Sequence, residues 1–200
     1  VLSSVNIFDC RYMYSIGLSF QESGGDVIHF EASDHILLRD NVVVGDSGVQ
    51  ETIKMNQCQF VYLENNDVSQ ADQNPIDFVA VQYGHIINNK IHDGLDWCMY
   101  LKGGSSDFTI DGNEIYNCGG TGSEGGFLAG QGTGFEYMVS PWLHYEASNI
   151  KFTNNDIHDS SGPGMGVNGG YNILMAYNTL YRVGSFSHGV EFGFGSRTCD

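Results

Sequence analysis

The chain has 200 residues, 41% hydrophobic and 12% aromatic, which is enough to bury a core as one domain and too apolar for disorder. Eight Lys+Arg stand against 24 Asp+Glu, a formal charge of -16. That charge repels phosphate backbones and anionic lipid heads, and no Lys/Arg cluster offsets it locally, so neither nucleic acid nor a membrane surface is expected as a partner. No apolar run approaches the roughly 20 residues that span a bilayer. The opening VLSSVNIFDC has neither an initiator Met nor the charged-then-apolar layout of a signal peptide, and the ending GSRTCD carries no polar cap. A single domain over 1–200 is expected, as a processed product or a segment of a longer chain.

In chain order, short apolar strands recur, each followed by an asparagine corner: ILLRDNVV, VYLENNDV, IINNKIHD, FTIDGNEIYN, IKFTNNDIHD and ILMAYNTLYR. The anchoring residues are Asn41, Asn66, Asn89, Asn113, Asn155 and Asn178, with steps of 25, 23, 24, 42 and 23. A period near 24 built from strands and Gly/Asn turns, with no stretch of period 3.6, predicts an all-β parallel solenoid. Asparagine suits a repeated corner because it tolerates left-handed backbone and its amides can bond from rung to rung. All six are read as such a ladder, without chemistry.

A second strand in each coil alternates. Val79 and Val81, Met99 and Leu101, Met165 and Val167, and Val190 and Phe192 are expected to face inward. Gln82, Tyr100, Lys102, Gly166, Asn168, Glu191 and Gly193 then project outward from one sheet. The 42-residue step holds a long insertion, about 119–146, with a flexible GGTGSEGGFLAGQGTG followed by the aromatic FEYMVSPWLHYEA. Solenoid loops gather on one face and often form a binding wall.

Five cysteines, Cys10, Cys58, Cys98, Cys118 and Cys199, form no C-x-x-C pair, and at least one must lack a partner within the chain. Buried small hydrophobes are the expectation, and they leave the redox compartment open. His92 and His158, each in an Ile-His-Asp, lie at least two coils apart. At about 4.8 Å per coil that is too far to share one ion, so each is read as a repeat-position side chain.

The asparagine ladder, the period and the segments VQYGHIINNKIHDGLDWCMYLKGG, AGQGTGFEYMVSPWLHYEA and GMGVNGGYNILMAYNTLYRVG resemble the right-handed parallel β-helix proteins, the pectate-lyase-like superfamily. The likeness runs from about Ile36 to the end. It implies a groove on an outer sheet for an extended, commonly acidic, polysaccharide. Lyases of this superfamily use a basic side chain as Brønsted base, often with Ca²⁺ held by carboxylates. The matching positions are Lys102 as base, with Asp93 and Asp96 just before it as cation ligands.

Removing the proton beside a uronic acid carboxylate needs a cation on that carboxylate and a base within reach. Lys102 is the candidate base, and His144 in the insertion is a second candidate catalytic group. Asp93 and Asp96, three apart in a loop, could converge on Ca²⁺ or simply cap turns. Trp142 and Tyr145 offer faces for sugar rings, and Gln82, Tyr100 and Asn168 offer groups for hydroxyls. Arg197 or Arg182 could pair with a substrate carboxylate.

The expectation is a secreted or cell-surface lyase acting on an acidic glycan by β-elimination. The alternatives are a non-catalytic glycan-binding, adhesive or structural solenoid, with self-association open, and a glycoside hydrolase using two of Asp72, Asp77, Asp93, Asp96, Glu124, Glu136 and Glu191. No G-x-S-x-G, P-loop, dinucleotide or H-E-x-x-H motif is present.

Overall fold

A computed structural model describes residues 1–22, 24–140 and 144–195. Parallel strands stack into three sheets with orders typical of a coil. Sheet I has eight strands: Val5–Phe8, Ile28–Glu31, Glu51–Asn56, Asn74–Val79, Met99–Lys102, Phe127–Ala129, Met165–Asn168 and Val190–Gly193. They define coils 1 to 8. Sheet II has seven strands, Arg11–Ile16, Asp34–Arg39, Gln59–Glu64, Gln82–Ile87, Ser105–Asp111, Ala147–Thr153 and Gly170–Ala176, and sheet III has seven, Ser19–Gln21, Val42–Val44, Asp67–Ala71, Lys90–Gly94, Glu114–Cys118, Asp156–Ser160 and Thr179–Val183; each strand pairs with its counterpart one coil on. The only helix among the described residues is a three-residue turn, Phe135–Tyr137.

Stacking in register places like on like. Ile28, Ile53, Ile76, Met99 and Phe127 form one inward row of sheet I. Val43, Val68, Ile91, Ile115 and Ile157 form a row of sheet III. All are buried, and sheet II adds Leu38, Leu63, Ile86, Ile110 and Phe152 to the same core. Fully burying each such side chain contributes about 1.5–3 kcal/mol.

The asparagine ladder is continuous. Asn41, Asn66, Asn89, Asn113 and Asn155 each donate both backbone N–H and Nδ2 to Oδ1 of the next ladder asparagine, at 2.8–3.0 Å. The left-handed residue is the one before it: Asp40, Asn65, Asn88, Gly112, Asn154 and Tyr177 have φ of 55–67°. The corner expected at the ladder residue therefore sits one position earlier, which leaves the amide free to point inward. His92, Tyr116, His158 and Tyr181 stack in one row of sheet III at 4.5–5.0 Å, as expected for repeat-position rings.

Two expectations about orientation change. In coil 4 the inward pair is Ile76 and Phe78, while Val79 falls in register with Lys102 on the outer side. Gln82 opens a strand of sheet II, beyond the left-handed corner at Ala80, and so faces another side. The run NPIDFVAV is buried throughout, so it carries no polar alternation to set the frame. Val190 and Phe192 are exposed because no described coil covers coil 8.

The insertion is also divided differently. Residues 119–126 are a corner, Phe127–Ala129 is an ordinary strand of sheet I, and the added loop is 130–146. Cys98 and Cys118 form a disulfide between the entry to sheet I and the end of sheet III. Cys10 and Cys58 are free thiols, and Cys199 lies outside the described residues.

Replacing Asn89 by Ala removes the acceptor of two Asn66 donors and leaves them buried, at about 1–3 kcal/mol per orphaned group. Denaturant unfolding should show Asn89→Ala about 2–6 kcal/mol less stable, against about 0.5 for the exposed Lys90→Ala. Equal losses would contradict a structural ladder.

Candidate functional site

The outer face of sheet I is a grid set by register. One row reads Asn6, His29, Lys54, Asp77, Tyr100, Leu128, Gly166, Glu191. The adjoining row reads Phe8, Glu31, Asn56, Val79, Lys102. A cavity of about 580 Å³ opens over coils 2–5, floored by Glu31, Lys54, Asn56, Asp77, Val79 and Lys102. Its wall is Gly132, Thr133, Gly134 and Tyr137 of the added loop.

That wall is held by one buried carboxylate. Glu146 Oε2 accepts from Gly103 N–H at 3.0 Å and from Thr133 Oγ1 at 2.6 Å, and Oε1 accepts from Thr133 N–H at 3.0 Å. Val139 N–H donates to Gly103 O beside it. Charge-assisted bonds of this kind are about twice as strong as neutral ones, so the loop is fixed against the turn that follows Lys102.

Lys54 Nζ lies 2.8 Å from Asp77 Oδ2 and 3.4 Å from Glu51 Oε1. Burial alone would lower its pKa. The attraction and hydrogen bond of Asp77, with Glu51 and Asp26 behind, outweigh that and hold it above the usual lysine value. Glu51 is pushed up to about 7 by burial and by repulsion from Asp77 and Asp26, against the pull of Lys54. Glu51 Oε2 and Asp77 Oδ1 are buried without a hydrogen-bond partner.

Lys102 Nζ donates to Tyr100 Oη at 2.9 Å and lies 4.1 Å from that ring's centroid. Tyr100 is buried against Trp97 and Leu128. Burial, then the negative charges of Asp77, Glu51 and Asp96, drives its pKa far above the usual tyrosine value, so it remains a phenol. His29 borders this group, with Nε2 3.1 Å from Asn56 Nδ2.

The site therefore joins Lys102 and Tyr100, as the outward parity predicts, to Lys54 and Asp77. Lys54 was missed, and Asp77 was named only among the carboxylates open to a hydrolase, although a signal existed: 54, 77 and 100 are each 23 apart, one ladder period. Asn168 is on the same sheet but two rungs beyond Lys102, over a separate cavity. His144 is exposed, and Tyr145 stacks on Tyr171 of sheet II at 4.6 Å, so neither lines the coil 2–5 cavity; Tyr137 does. Trp142 and Arg197 lie outside the described residues. Arg182 pairs with Asp159 on sheet III.

Asp93 and Asp96 diverge. Asp93 belongs to a sheet III strand, where its carboxylate bonds His92 at 2.7 Å and Asn117 at 3.1 Å. Asp96 caps Trp97 N–H at 2.9 Å; burial is the main cause raising its pKa, and Glu124 adds to it. Among the described residues no three His, Cys, Asp or Glu gather to hold a metal. The pair does not fit a calcium cage, and no step below is routed through one.

The family model for the right handed beta helix region matches residues 3–143. The chain belongs to that family. Curated protein sequences gave no match. Among solved structures it resembles the A-module of the Azotobacter vinelandii mannuronan C-5 epimerase AlgE6, with a TM-score of 0.61 and 13% identity over 96% of this chain and 55% of that one. It also resembles tailspike protein 2 of the Escherichia coli O157:H7 bacteriophage CAB120, at 0.60 and 12%, covering 96% of this chain and 33% of that one. A third is an alginate lyase from Paenibacillus sp. FPU-7, at 0.51 and 12%, covering 88% and 78%. These likenesses establish the fold, and the chain spans just over half of the epimerase module.

Because the Glu51 pKa is raised from its ordinary 4.5 to about 7, the folded state holds this proton more tightly than the unfolded chain. Its stabilising contribution is full below about pH 4.5 and is lost as pH rises towards 7. Glu51→Gln should therefore flatten the fall in melting temperature between about pH 5 and pH 8. An unchanged slope would contradict the buried, repelled carboxyl.

Proposed function

We propose that this face acts on an acidic polysaccharide, abstracting the proton beside a uronic acid carboxylate and cleaving the chain by β-elimination. The observation that carries the reading is the placement of Lys54 and Lys102. They are the only Lys or Arg in the described strands of sheet I, and both line its large cavity. In a chain of net charge -16, two cations facing one cavity favour an anionic ligand.

The two lysines divide the work. Lys54, kept as ammonium by Asp77 and Glu51, pairs with the substrate carboxylate and stabilises the charge that spreads onto it when the C5 proton leaves. Lys102, in its amine form, accepts that proton. The electrons of the C5–H bond become the C4=C5 double bond, and the C4–O bond breaks. The protonated Lys102 returns that proton to the departing oxygen, and Tyr100, a buried phenol 2.9 Å from Nζ, holds the lysine head group in place. Thr133, held by Glu146, and Tyr137 limit water on the open side.

The structural neighbours include an alginate lyase and a mannuronan C-5 epimerase, which supports a glycan partner. A second reading, epimerisation, is favoured by the phenol beside the base: the same deprotonation followed by return of a proton to C5 leaves the chain uncut. The Cys98–Cys118 disulfide supports an oxidising, extracytoplasmic location.

The test is incubation with pectate, polymannuronate and unsulfated chondroitin while following absorbance of the unsaturated product. Lys102→Met should lower turnover by about a hundredfold to ten-thousandfold without lowering the melting temperature, and Lys54→Met should both raise KM and lower turnover. Binding without cleavage or epimerisation, indifferent to Lys102→Met, would instead establish a non-catalytic glycan-binding solenoid.

A further inference from the structure

The outer face of sheet I continues past the lysine pair, and its chemistry changes there. Coils 6 to 8 contribute the strands Phe127–Ala129, Met165–Asn168 and Val190–Gly193, none of which carries Lys or Arg. Over them lies a second cavity of about 190 Å³, separated from the first by the loop segment that supplies Gln131 to one and Gly132 to the other. Trp97 and Leu128, both buried, provide apolar surface. Gln131, Asn168 and Ser187 provide neutral polar groups, and Glu124 and Glu191 provide the charge.

Asn168 Nδ2 donates to Gln131 Oε1 at 3.4 Å, while Asn168 Oδ1 is sealed from solvent with no donor. The one imidazole, His188, lies 3.2 Å from Glu191. The carboxamides of Gln131 and Asn168 beside an indole and a leucine suit hydroxyl and amide groups on a sugar ring. It does not suit a second carboxylate, which would meet Glu124 and Glu191 with no cation of sheet I to neutralise it.

We infer that the cavity over coils 6–8 is a subsite for an uncharged sugar, so that the substrate is a mixed glycan whose acidic unit sits at Lys54 and Lys102 and whose unit about three sugars further on this side is neutral. This rests on the polysaccharide reading above and narrows it, because a glycan acidic at every unit is disfavoured. Register supplies the spacing: coil 5, with Lys102, and coil 8, with Glu191, are three rungs apart, about 14 Å along the groove.

Affinity electrophoresis of the wild-type chain through gels containing polymannuronate, acidic at every sugar, or unsulfated chondroitin, in which uronate alternates with a neutral amino sugar, tests the inference. Chondroitin should bind about tenfold more tightly at low salt. The double variant Glu124→Gln/Glu191→Gln should narrow that gap by tightening polymannuronate more than it changes chondroitin. A wild-type preference for polymannuronate, or a gap the double variant does not move, would overturn the uncharged subsite while leaving the glycan reading intact. Retardation by neither polymer would overturn both.

Discussion

The structure depends on one interaction repeated coil after coil: a buried asparagine giving two hydrogen bonds to the asparagine above it. A parallel sheet bonds its strands but tolerates slippage wherever a strand is uniformly apolar, because a shift then costs little in burial. A buried amide that must find one acceptor cannot slip without orphaning donors, at about 1–3 kcal/mol each. The ladder from Asn41 to Asn178 therefore fixes register for all three sheets, although it touches only one corner.

Register is what assembles the chemistry. Lys54, Asp77 and Tyr100 come from three coils and meet because each stands at the same rung position. Once adjacent, they change one another. Asp77 and Glu51 hold Lys54 charged, and their negative charges, with burial, keep Tyr100 a phenol. The loop 130–146 adds a wall at the one place where a strand of sheet I is followed by extra chain, and Glu146 ties that wall to the turn after Lys102.

The period, the all-β coil and the ladder were legible in the chain because they rest on residue identity at a repeated spacing. Lys102 and Tyr100 were legible by parity, since they alternate with the inward Met99 and Leu101. Parity failed at Gln82, where NPIDFVAV is apolar across a corner and hides the turn at Ala80. The aromatic run of the insertion pointed to sugar contact, yet Tyr145 stacks on Tyr171 and, among the described residues of that run, only Tyr137 lines the cavity. How a loop folds back depends on single bonds such as Glu146 to Thr133, which no spacing encodes. Asp93 and Asp96 are three apart in sequence, but a sheet boundary separates them.

The central claim is that this face removes a proton from a uronic acid at Lys102. The most direct measurement is proton NMR of polymannuronate and of unsulfated chondroitin incubated with the chain in D₂O. The account predicts loss of the C5 proton signal in at least one of them, with deuterium or a C4=C5 double bond in its place, and no loss with Lys102→Met. Intact C5 proton signals in both polymers, with the wild-type chain folded and binding one of them, would contradict it.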